Sequence, residues 1–179
     1  TASNNVARSD TYKYIDGELV EAGLLLEGSA ENLVNSSEDF STTNWSEDGA
    51  TTVTINQAIS PSGDASADLI DIGNTGTAMG PDRIIQAMTL STTTTYTLSA
   101  FVKKVDAEVI GLRHFQSGSD AIADFSFDTE EFIDTSASVD STTVENVGNG
   151  WYRISKTKKK NAGGASIRIG GQIGSTVTT

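Results

Sequence analysis

Apolar side chains in this chain recur at every second residue, and no window carries them at the spacing an α-helix needs to bury one face. Val53 and Ile55 alternate with Thr52, Thr54 and Asn56, and Pro61, Ser62, Gly63 and Asp64 then mark a turn before a second apolar run at 67–72. Residues 73–81, rich in glycine and ending on Pro81, read as a long loop. Beyond it, segments 83–90, 95–105, 108–115, 121–128, 131–134, 139–147, 151–158 and 165–170 each read as a strand bounded by Ser, Thr, Gly or Asp clusters. Short strands joined by polar turns, with no crossover helices between them, predict an all-β fold, an antiparallel β-sandwich. Threonine, serine, valine and isoleucine fill the strands, as pleated and half-buried surfaces favour.

The N-terminal part is organised differently. Residues 1–10 are polar and aperiodic, with Val6 their only large apolar group, and read as an arm that orders against a partner. Residues 12–20 alternate weakly around Asp16-Gly17, a dipeptide suited to a tight hairpin turn. The expected division is an arm and connector over 1–22 and a sandwich over 23–179. Leu24, Leu25 and Leu26, and then Leu33-Val34, read as buried strand segments, with Phe40 and Trp45 folding back as anchors. Ser37, Glu38 and Asp39 supply a hydroxyl cap and acids for one helical turn within 36–45, too short to stand alone.

These segments carry a family resemblance. Glu27, Asn32-Leu33, the run Ser37-Glu38-Asp39-Phe40 and Trp45 resemble the opening of modules that recur in bacteriophage tail-fibre and other virion structural proteins. The run from Thr95 to Lys103 resembles an internal strand of those modules, and Gly148-Asn149-Gly150-Trp151-Tyr152-Arg153-Ile154 resembles their closing segment. The resemblance implies a jelly-roll-like sandwich of the carbohydrate-binding-module type. It also implies a non-enzymatic virion protein of a tail fibre, appendage or surface decoration, assembled as a homotrimer with other virion proteins. Host-surface glycan is the attachment partner it suggests. The alternative is a carbohydrate-binding module of a secreted bacterial polysaccharide-active enzyme. In the resembling modules the chain ends on an apolar strand, whereas here it ends in glycines and threonines, so the last strand is either replaced or supplied by a partner.

Charge and composition narrow the partners. Twelve Lys and Arg against 24 Asp and Glu give a net charge of -12, which disfavours nucleic acid and anionic membrane surfaces. No apolar run approaches the roughly 20 residues that span a bilayer. There is no cysteine, hence no disulfide framework or thiol chemistry, and the compartment stays open. The chain begins without methionine, which reads as a fragment or a processed product.

Catalytic chemistry finds little to use. The single histidine, His114, shares a strand face with Ile110 and Leu112 and reads as a packed residue rather than a general base. Acid pairs such as Asp68 with Asp71, or Glu130 with Glu131, read as turn and edge charges rather than a glycosidase pair. A structural calcium ion is the one cofactor that loop oxygens would suit, with Glu31, Asn32, Asp68 and Asp71 as candidate ligands; no metal site is assigned. For sugar binding, strand phase offers Arg113 and Phe115 on one face, and Trp151 and Arg153 on another. The plainer reading of Phe115 and Trp151 is that of half-buried sandwich residues. Lys156, Lys158, Lys159 and Lys160 form the one basic cluster, read as a solvated hairpin end or edge guard, or as a contact for an acidic subunit or anionic glycan.

Overall fold

The computed structural model describes residues 8–15, 18–25, 31–73, 82–116, 121–160, 165–172 and 176–178. Within them are fourteen strands and no helix: β1 Arg8–Ile15, β2 Glu18–Leu25, β3 Ser46–Asp48, β4 Thr52–Ala58, β5 Ala67–Asp71, β6 Arg83–Met88, β7 Thr95–Lys104, β8 Val109–Gln116, β9 Ala121–Ser126, β10 Glu131–Thr135, β11 Ser141–Gly148, β12 Trp151–Lys159, β13 Ala165–Gln172 and β14 Thr176–Thr178. Sheet I runs β10-β9-β8-β13-β6-β3 and sheet II runs β11-β12-β7-β14-β5-β4. Every pairing is antiparallel, and the two sheets face each other as a β-sandwich. The hairpin β1–β2 is a third, two-stranded sheet with Ile15 opposite Glu18, which brackets the expected turn at 16–17. β2 runs to Leu25, so the hairpin continues past the expected boundary at residue 22.

The alternation read from the sequence is the alternation that builds the core. Ile110 and Leu112 of β8, Phe125 of β9, Val102 of β7, Ile154 of β12 and Ile70 of β5 are all inaccessible to solvent and belong to one cluster. Burying side chains of this size contributes roughly 1.5–3 kcal/mol each. Phe40 and Trp45 close this core from outside the strands, their rings edge to face at 4.9 Å. Asp68, buried on β5, holds Phe40 there: its carboxylate accepts from the Phe40 N–H at 2.9 Å and from the Asn56 N–H of β4 at 3.0 Å.

Several expectations are corrected. Leu33-Val34 is irregular, not strand, because side chains take up the backbone groups: Asn32 accepts from the Val34 N–H, and the Gln86 amide both accepts from and donates to Asn35. Leu33 is 39 % exposed, not buried. Residues 36–45 form turns, closed by Asp39 N–H to Ser36 and Trp45 N–H to Thr42, without a helical turn. Leu26 and the loop at 74–81 lie outside the described residues. Two three-residue strands, β3 and β14, had no signature in the sequence. β14 pairs with both β5 and β7, so the chain itself fills the place for which a partner's strand was an alternative. Gly148, Asn149 and Gly150 all have positive φ (91°, 52° and 77°), a run of left-handed conformations that turns β11 into β12 and that glycine and asparagine tolerate.

Candidate functional site

The sugar-binding candidates do not converge: Arg113 and Phe115 belong to sheet I, and Trp151 and Arg153 to sheet II. Arg113 is half-buried on the outer face of sheet I, and Phe115 stands two residues further along β8, in register with Ser166. Trp151 and Arg153 project from the outer face of sheet II, since Tyr152 and Ile154 between and beside them point inward. Arg153 is exposed, in register with Phe101 and Glu145. Trp151 is not a platform: its ring is wholly inaccessible, with its Nε1–H donated to the Ile59 carbonyl at 3.2 Å and Lys103 Nζ 6.0 Å from the ring centre. It pins the β4–β5 connection against sheet II, which is the plainer role that large aromatics usually take.

Sheet I presents a layer of arginines and aspartates on its outer face. Arg113 and Arg168 are directly opposite each other on β8 and β13, a like-charge pairing that needs anions nearby. Asp124, on the neighbouring β9, supplies one. Burial pushes the Asp124 carboxyl above its ordinary range, and the Arg113 guanidinium pulls it back. At the other side Arg83 forms a 2.8 Å ion pair with Asp48 of the edge strand β3. Sequence phase pointed to Arg113 alone; Arg83, Arg168 and Asp124 join it only through strand order.

The calcium candidates are dispersed. Asp68 is committed to two backbone N–H groups inside the core, whereas Asp71 is exposed and accepts from Gly73. Glu31 and Asn32 are exposed in a different segment, and Asn32 is occupied with Val34 and Ser37. Among the described residues no group of three or more His, Asp or Glu side chains could hold a metal ion.

The basic cluster is the largest departure. Lys159 is exposed as a solvated charge should be, but Lys156, Lys158 and Lys160 are buried, at 0 %, 3 % and 5 % exposure. They continue the inward phase of Tyr152 and Ile154 into the space between the sheets. Their ammonium groups donate to backbone carbonyls: Lys156 to Ala121, Lys158 to Ser138 at 3.2 Å, and Lys160 to Leu90 at 2.5 Å. His114 faces them from sheet I, packed on the inner face as expected. Burial first, then the charges of Lys156 and Lys158, lower its pKa to about 4, so the imidazole is neutral at pH 7.

Beside this polar end opens a cleft of about 610 Å³, walled by the end of β6 and the start of β7 and closed along one side by residues 31–34. His114 and Ile167 form its floor and Tyr96 one wall. The phenol of Tyr96 is fixed by the Ser91 N–H at 2.9 Å, so the ring is held in place. A cleft leaves little signal in any sequence, because its walls come from strands and turns distant along the chain. No family model matches the chain, and no curated protein matches it. No helix among the described residues is long and apolar enough to cross a membrane.

Proposed function

We propose that this chain is a non-enzymatic structural module of a phage virion, part of a tail fibre, an appendage or a surface decoration, acting in assembly and in attachment to host-surface glycan. The observation that carries the assembly half is the β1–β2 hairpin, a two-stranded sheet that belongs to neither sheet of the sandwich. An isolated two-stranded ribbon is marginal in water, and a third strand or a packed partner is what stabilises it. Eight-residue strands that, among the described residues, pair with no third strand and touch the sandwich at the edge strand β11 fit a connector that is completed by neighbouring subunits, here a homotrimer on an extracellular particle. The phage context and the jelly-roll connectivity come from the motif resemblance. The His114 pKa, lowered to about 4 by burial, makes the imidazole a weak base, which fits a binding module better than a hydrolase.

Light scattering on the full chain and on a chain lacking residues 1–25 tests assembly. A trimer that falls to a folded monomer on truncation supports it, and a monomer in both cases overturns it. Particle imaging that finds the chain in ordered copies on a tail or capsid supports the virion context. Finding it only as an appendage of a secreted polysaccharide-active enzyme would favour the carbohydrate-binding-module alternative.

A further inference from the structure

We propose that the cleft between the ends of β6 and β7 is a binding site for a small hydroxylated carboxylate, the chemistry of a sugar acid. This deepens the attachment half of the function proposed above and rests on it for its biological sense, though not for its geometry. At about 610 Å³ the cleft lies within the few-hundred to thousand Å³ range of small-molecule sites.

Three features select the ligand. The first is His114, 6 % exposed, which lines the cleft. A neutral imidazole offers one donor and one acceptor, and the cleft is a space it borders. The second is charge. Lys156 and Lys158 act on His114 from behind the floor, and Lys160 is anchored on the carbonyl of Leu90, itself a lining residue. Among the described residues Lys158 and Lys160 form no ion pair with a carboxylate. After burial, it is Lys156 and Lys158 that lower the His114 pKa, so their positive charges favour an anion beside it, in a chain whose net charge is -12. Exposed Glu31 stands at the rim, so a ligand would turn its carboxylate inward and its neutral end outward. The third is the wall: a fixed Tyr96 ring and the side chains of Met88 and Leu33 suit C–H surface, while Thr89 and Ser91 bring hydroxyls for a polyol.

Titrating the full chain with sodium glucuronate, with glucose and with sodium acetate, followed by amide and imidazole NMR shifts, separates the contributions. The expected result is saturable glucuronate binding with shifts at His114, Tyr96 and Met88, and at least about tenfold weaker binding of glucose and of acetate. Leu33→Trp, at an exposed rim position that leaves the core intact, should abolish it, and His114→Gln should weaken it by about fivefold or more. No saturation, equal binding of glucose, or shifts confined to the Arg113 face would each overturn the site. Glucuronate binding by a monomeric full chain would leave the site standing and overturn the trimer; a trimer that binds none of the three would do the reverse.

Discussion

The space between the two sheets has two unlike ends. At one, Phe125, Phe127, Phe132 and Tyr152 pack in tilted and edge-to-face pairs with ring centres 5.2 to 6.2 Å apart, and the Tyr152 phenol reaches the Glu130 carboxylate at the margin. At the other, the same inward row of β12 carries Lys156 and Lys158, with Lys160 just beyond, facing His114. One end is sealed by dispersion and the exclusion of water; the other is held by ammonium groups on the carbonyls of Ala121, Ser138 and Leu90. The difference teaches that an inward-pointing position need not be apolar when it lies near the end of a sandwich, where turns expose carbonyls that long lysine stems can reach.

The comparison breaks most easily at its apolar end. Phe125→Ala should cost about 3–5 kcal/mol in denaturant unfolding, because the ring is fully enclosed and its neighbours are already committed to one another. A loss under about 1 kcal/mol would mean that the aromatic end is not the better-packed one.

At the polar end the expected effect is one of pH. The unfolded chain protonates His114 near pH 6.5 and the folded chain only near 4, so between those values the unfolded state binds more protons. The contribution is therefore full above pH 6.5 and is lost as pH falls toward 4, by about 3 kcal/mol in all. Urea unfolding at stepped pH should show this slope in the parent chain and not in His114→Leu. Lys156→Met should raise the pH at which the imidazole titrates, read from its NMR shifts, since one of the charges that lowers it is gone.

A smaller effect tests how the irregular segment is fastened to the apolar end. Asp68→Ala strands the Phe40 and Asn56 N–H groups and should cost about 2–3 kcal/mol, with faster amide exchange from Phe40 to Trp45. The smallest is a control outside both ends. Lys104→Ala removes an exposed ion pair with Asp128 and should change stability by no more than about 0.5 kcal/mol, less still at high salt.

Much of this was legible along the chain. The period of two located most strands of the sandwich, and Asp16-Gly17 located the hairpin. The inward phase of Tyr152 and Ile154, carried two residues further, already placed Lys156 and Lys158 inside; residue type argued for solvent, and phase prevailed because carbonyls were within reach. β3 and β14 were not legible, since three residues cannot display an alternation and are strands only because neighbours pair with them. The candidate site was less legible still. Arg113 could be given a face but not its companions, and Trp151 and Arg153 could be given a phase but not the opposite side of the molecule.

By itself, then, the order of residues determined that this protein is built of antiparallel strands with one apolar side each, because side-chain direction in a strand depends on local backbone geometry alone. Only the tertiary structure decided which strands became neighbours. That choice set Arg168 against Arg113, enclosed Trp151, and gathered His114 and Tyr96 around one cleft, through contacts between residues far apart in the chain.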